Sequence, residues 1–197
     1  SATSATASRT IAVTVTANDK LFTHASGAIA SAGGDITISA DQITLSGGTI
    51  ASGAADVRLR PTDTATVIDI GATAADNAST LGLTDTELNT ITTGASNAII
   101  VGATTVTGDM TVVGALDLGS KNLDLETGNT AGTAIDDGTP GVGGNLITAS
   151  KLALSAVGGI DVNLAVALVA AASTTSQNIR IDDTSTTDVS TFGGVTG

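Results

Sequence analysis

The chain has no cysteine, tryptophan or tyrosine, and its only aromatic side chains are Phe22 and Phe192. Without cysteine there are no disulfides, which fits either a cytosolic protein or a bacterial surface protein that does without them. Without aromatics, aliphatic side chains must supply nearly all the burial, at roughly 1.5–3 kcal/mol for each fully buried Val, Leu or Ile. Small, uniform side chains suit a thin, repetitive interior better than a core of mixed sizes. Bases are scarce as well. The seven are Arg9, Lys20, Arg58, Arg60, Lys121, Lys151 and Arg180, scattered without a cluster against 19 acids, for a net charge of −12. That balance repels nucleic acid and anionic membrane surfaces and favours solubility. The longest apolar run, residues 164–172, is far short of the roughly 20 residues a membrane-spanning helix needs. Nor is the chain short of apolar residues, as disordered chains are: 41% are hydrophobic, with two prolines and charge held to 13%. The chain opens at Ser1 without Met or a charged-then-apolar leader, and the expectation is a processed product or a piece of something longer.

What is present is short alternation. Ile11, Val13 and Val15 alternate with Ala12, Thr14 and Thr16, and Val57 and Leu59 with Arg58 and Arg60. Leu123 and Leu125 alternate with Asn122, Asp124 and Glu126. From Ile160 through Val162, Leu164, Val166 and Leu168 the same pattern sets Asp161 and Asn163 on the other face. A period of two marks strands with one buried face and one wet face, and β-branched Thr suits the wet one.

The strands are evenly spaced. Ile36, Ile43, Ile50 and Val57 follow one another at seven, separated by Ala40-Asp41, Gly47-Gly48 and Ser52-Gly53. Met110, Leu116 and Leu123 continue at six and seven. A helical heptad is excluded because Gly and Thr, poor in helix interiors, fill the intervals. Three strand-and-corner units make a coil of about 21 residues, inside the window for solenoid repeats. A coil cannot bury its inward face alone; stacking on the next coil does so, with parallel strands in register. The rival is an antiparallel sandwich, whose hairpins favour Asn-Gly or Asp-Gly turns; Asp137-Gly138 is the one such pair.

The expected division is a flexible tail at 1–9, a first solenoid block at 10–127, a loop or join at 128–145, a second block at 146–183, and a tail or docking segment at 184–197. One segment breaks the strand pattern. Thr84 and Glu87 form a capping box, with Leu83 and Leu88 placed as a hydrophobic staple, Ile91 continuing at helical spacing and Gly94 ending it. This predicts a helix of one or two turns projecting from the stack, with a structural corner as its first role.

Several stretches resemble a recurring block of large filamentous-haemagglutinin-like exoproteins. They are Val57-Arg58-Leu59-Arg60-Pro61, then Ile68-Asp69-Ile70-Gly71, then Leu81-Gly82-Leu83-Thr84-Asp85-Thr86-Glu87-Leu88 followed by Ile91-Thr92. Lys151-Leu152-Ala153-Leu154-Ser155-Ala156-Val157-Gly158-Gly159-Ile160-Asp161 is similar too, so the likeness covers about 34–161, two thirds of the chain. The resemblance implies a right-handed parallel β-helix, secretion across an outer membrane, and service as a surface shaft or adhesin. The family's N-terminal secretion domain has no counterpart in these residues. Residues 101–125 also look like phage tail-fibre repeats, another extended β architecture.

For catalysis the residues are poorly supplied. The sole histidine, His24, has no cysteine to activate and no second histidine for a metal. Serine and aspartate are plentiful enough for a triad, but there is no Gly-x-Ser-x-Gly elbow, and the reading of His24 is a surface histidine. Asp136-Asp137 and Asp182-Asp183 are adjacent, and neighbours on a strand point to opposite faces, which is not a glycosidase pair. Sugar grooves also want aromatic platforms. No catalytic, cofactor-binding or metal residue is therefore assigned and no cofactor expected. Calcium alone is kept open, with Asp136 and Asp137 as its candidate ligands; Gly158-Gly159-Ile160-Asp161 is a fragment of a calcium-repeat motif.

These readings predict a non-enzymatic shaft or adhesive segment of a secreted bacterial surface protein, extracellular or on the cell surface. The alternatives are a self-assembling subunit of an extracellular filament or sheath, with copies of itself end to end as partners, and a β-helical polysaccharide-processing enzyme.

Overall fold

The computed structural model describes residues 2–3, 9–138, 145–175 and 177–196. The described chain is all-β, mostly parallel, with one helix of a single turn. Its strands lie in a 14-stranded sheet, a four-stranded sheet and a two-stranded sheet, and none closes into a barrel. No described helix is long and apolar enough to cross a membrane.

Every pairing between strands runs parallel. Among the described residues, antiparallel contact is limited to isolated bridges, Asn77 with Thr80 and Phe192 with Val195. Along the main sheet, strands Ile11–Thr14, Ile36–Ser39, Val57–Arg60, Ile99–Ala103, Asn122–Thr127, Leu146–Ala156 and Gly159–Ser173 are successive neighbours. Their register sets like beside like. Ile11, Ile36, Val57, Ile99, Leu123, Leu152 and Val169 form one ladder; Val13, Ile38, Leu59, Val101, Leu125, Leu154 and Ala171 form the next. Both ladders belong to one apolar core with Ile29, Ile50 and Ile91 of the four-stranded sheet and Phe22 and Ile43 of the two-stranded one.

The seven-residue spacing now has a spatial meaning. Ile36, Ile43 and Ile50 lie on three different sheets, whereas Ile36 and Val57 are direct neighbours. An interval of 21 recurs on each sheet: Leu21 beside Gln42, Ala28 beside Thr49, Ile36 beside Val57. The turns obey it too. Gly27 and Gly48 both take left-handed backbone, φ +82° and +79°, and a Cβ on Gly48 would lie 2.7 Å from His24 Nε2. Further on the interval departs from 21, to 42 (Val57 to Ile99), then 24 (Ile99 to Leu123), 29 (Leu123 to Leu152) and 17 (Leu152 to Val169).

The capping box is present. The Glu87 N–H donates to Thr84 Oγ1 at 3.2 Å and the Thr84 N–H to Glu87 Oε2 at 3.0 Å, opening the helix Asp85–Leu88. The helix does not project as expected. Leu88 is wholly buried in the core, and Glu87 Oε1 accepts the N–H of Leu45 at 2.9 Å. Asp76 similarly accepts from the N–H of Gly82 at 2.9 Å and from that of Ile43 at 3.4 Å. Among the described residues, strand Gln42–Thr44 pairs with a strand on one side only; on its other side, where strand Thr80–Leu83 lies, these two carboxylates accept the N–H groups in place of carbonyls. A buried N–H left without an acceptor would cost about 1–3 kcal/mol.

Ordered structure reaches into the segments expected as tails and join. Ala2–Thr3 pairs with Ala28–Ala30, and Asp188–Val189 with Gly159–Ser173. Within 128–145, strand Thr133–Asp136 has neighbours on both sides, Met110–Val112 and Gly159–Ser173; residues 139–144 lie outside the described part. The two expected blocks share one sheet, since Asn122–Thr127 pairs with Leu146–Ala156.

Candidate functional site

Because Leu123 and Leu125 point into the core, Asp124 and Glu126 are carried on the opposite face of their strand. Register aligns Arg58, Ile100, Asp124, Ala153 and Ala170 in one outward row across five strands. Arg58 reaches across the one intervening strand to grip Glu126 through both terminal nitrogens, at 2.6 and 3.2 Å, and also donates to the carbonyl of Gly102 at 2.8 Å. A forked, half-buried pair of this kind is the strong form of a charge-assisted hydrogen bond. Beside it, Asp56 accepts the Ala98 N–H at 2.8 Å.

Asp124 is treated differently. It is only 2% exposed, and its Oδ1 is buried without a hydrogen-bond partner. The cover comes from the far end of the chain. A tight turn at 192–195 is closed by reciprocal bonds, Phe192 N–H to Val195 O at 3.0 Å and Val195 N–H to Phe192 O at 2.9 Å. Phe192 and Val195 pack on Ala153, Ala170 and Ala172, and Lys151 Nζ lies 5.6 Å from the centre of the Phe192 ring. Gly193 rests on the carboxyl, so that a Cβ there would stand 2.7 Å from Asp124 Oδ2 and 2.8 Å from the Ala153 Cβ. An open groove of about 340 Å³ remains alongside, lined by Asp56, Arg58, Asn97, Asp124, Glu126 and Phe192. Burial pushes the Asp124 carboxyl up to about 7; the Glu126 charge adds to this, Arg58 opposes it, and Asp56 adds a little more.

The residues singled out from the sequence lie elsewhere. His24 is not a surface histidine: it is 7% exposed, tucked under the Gly48 turn with Nε2 unbonded. The corner that buries it is made by residues more than twenty positions away, so its exposed-looking local sequence is uninformative. Asp136 and Asp137 are divided between different partners. Asp136 accepts the N–H of Gly138 at 2.7 Å, while Asp137 is fully buried and accepts from Asn163 Nδ2 at 2.7 Å. Asp182 pairs with Arg180, which also reaches Asp161 at 3.2 Å. Asp183 accepts the Ser185 N–H at 2.8 Å, the bond that chiefly holds its carboxyl below the usual carboxylate range. Gly158 and Gly159 donate to the carbonyls of Asn129 and Gly132. Among the described residues, no three acidic or histidine side chains are grouped so as to hold a metal ion.

Asp124 and the turn that covers it were not legible beforehand. The alternation correctly put Asp124 on the outer face, and the burial of that face depends on a turn some seventy residues later. Comparison with protein families, with curated proteins and with solved structures returns no match.

Proposed function

We propose that this chain is a non-enzymatic structural segment, a right-handed β-solenoid serving as the shaft or adhesive stretch of a secreted bacterial surface protein. The observation that carries the reading is register: residues 21 apart stand side by side on all three sheets, in parallel. A chain that winds and stacks in this way needs only aliphatic ladders inside, which is what a composition nearly free of aromatics provides. Each added layer extends the object by about 4.8 Å without widening it. Eight strands succeed one another from Ile11–Thr14 to Asp188–Val189, a stack of about 34 Å at that spacing. The resemblance to filamentous-haemagglutinin-like exoproteins supplies the handedness and the cell-surface setting. Side-chain chemistry supports the same role, because the buried or half-buried carboxylates Asp76, Glu87 and Asp137 are bonded to the protein's own donors.

The test is location and form. Antibody raised against the purified chain should label intact, unpermeabilised cells of the source organism, on material extending from the envelope. Label reached only after permeabilisation would overturn the reading.

A second reading, the end-to-end filament subunit, draws on the outermost strands. Among the described residues, Ile11–Thr14 has a strand neighbour on one side only, and Ile179 and Val189 stand exposed on strands at the other end. Open strand edges accept further strands. Electron microscopy of the purified chain distinguishes the two, with polymers expected of a subunit and isolated particles of a shaft segment.

A further inference from the structure

The turn at 192–195 makes almost no use of the apolar core. It is held to the outer face of the sheet by Phe192 and Val195 on a platform of alanines, by the Lys151 contact, and by its own two hydrogen bonds. Its centre, Gly193, sits against a carboxyl whose Oδ1 has no hydrogen-bond partner among the described residues, and on which the Arg58 charge is outweighed by burial. The charged groups around Asp124 are Glu126 on its own strand, Asp56 and Arg58 from the Val57–Arg60 side, and Lys151 from the next strand. The strand between contributes Ile100, the strand beyond contributes Ala170, and the turn itself carries no charge. Arg58 is committed to Glu126, and Lys151 to the Phe192 ring. An ionised Asp124 under the closed turn is therefore a buried anion without a donor for Oδ1, beside two other carboxylates. Lifting the turn returns it to water.

We propose that the turn at 192–195 is a proton-dependent clasp, closed over the outer face of the sheet while Asp124 is protonated and released when Asp124 ionises. This rests on the geometry of the covered carboxyl and is independent of the solenoid reading. The sign follows from linkage: the closed state binds the proton more tightly than the open one, so rising pH favours opening. With the closed-state carboxyl raised from 3.8 to about 7, the ratio of closed to open falls by up to about a thousandfold as pH rises through that interval. That is an upper bound, since the repulsion from Glu126 and Asp56 persists in part when the clasp is open.

The two phenylalanines make the test direct. Full-length chain labelled with fluorophenylalanine gives two ¹⁹F resonances, with Phe22, packed against the core, as internal reference. Between pH 5 and 8.5 the Phe192 resonance should move from a packed to a solvent-exposed shift while that of Phe22 stays in place. In Asp124→Asn, which keeps the shape and removes the charge, the Phe192 resonance should stay packed throughout. A Phe192 signal that does not move in the native chain, or that moves equally in Asp124→Asn, would overturn the proposal. Should Asp124→Asn fail to fold, Glu126→Gln serves instead: it removes the nearest like charge and frees Arg58 for Asp124, so the pH response must shrink. A response of undiminished size contradicts the clasp.

Discussion

Three buried or half-buried carboxylates in this chain act as backbone rather than as chemistry. Asp41, at 1% exposure, accepts the N–H groups of Thr62 and Asp63 through Oδ1, at 2.8 and 2.7 Å, and that of Asp19 through Oδ2 at 3.0 Å. Asp76 and Glu87 cap the side of strand Gln42–Thr44 that faces Thr80–Leu83. Burial also raises the Asp76 carboxyl, against the pull of its hydrogen bonds from Gly82 and Ile43. Replacing Asp41 with Ala removes one acceptor group from three N–H donors, and urea unfolding should show a loss of about 3 kcal/mol. Glu87 was half legible in the sequence. Its capping role is written in the Thr-x-x-Glu spacing, whereas its second bond goes to Leu45, 42 residues away, and no local pattern encodes that. Asp41 looked like half of a turn-forming pair, which is where it sits; its three backbone bonds come from contacts distant in sequence.

At the scale of elements, the regular part of the molecule was legible because strand alternation and even corners leave a period in the sequence. Ile36, Ile43, Ile50 and Val57 announced it. The departure after Val57 was not, because corner length is constrained only by the need to bring the next aliphatic pair back to the ladder. Strand Gly159–Ser173 shows a second limit. Alternation signals its inner face as far as Val166; the register then slips, so that Leu168 stands beside Lys151 on the outer side and Val169 faces the core, and Ala170, Ala171 and Ala172 follow without a polar face. The turn at 192–195 packs on the outer side of Ala153 and Ala170, which removes the need for polarity there. The two faces should therefore differ in what they tolerate. Leu154→Ala, on an inner ladder, should cost about 2–5 kcal/mol by denaturant unfolding. Ala153→Leu, on the outer face, should displace the turn at 192–195 and cost less than about 1.5 kcal/mol, because the inner ladder stays filled.

For the whole molecule, pH is the informative variable. Asp124 is protonated in the folded chain under conditions in which an unfolded carboxyl is ionised. Its contribution to stability is therefore intact below about 4 and is lost as pH rises toward about 7. The loss from Asp124 is at most about 4 kcal/mol. Asp69 and Asp76, also raised by burial, act in the same direction. Thermal or denaturant melts should thus show stability falling between pH 5 and pH 7, and Asp124→Asn should flatten that slope. Stability that rises over this interval in the native chain, or a slope unchanged in the variant, would contradict the assignment. Composition had already set the aliphatic character of the interior. It held no trace of which acid would be buried.

Stacking itself can be tested by lengthening the stack. Residues 36–56 make up one complete interval, from Ile36 to the residue before its neighbour Val57. Further copies of this segment, inserted between Asp56 and Val57, place each new Ile36 and Ile38 on the existing ladders. Solution X-ray scattering on chains with one, two and four added copies should show the long dimension growing by about 4.8 Å per copy with the cross-section unchanged. Unfolding of the extended chains, or growth in all dimensions together, would mean that the 21-residue register is not a winding.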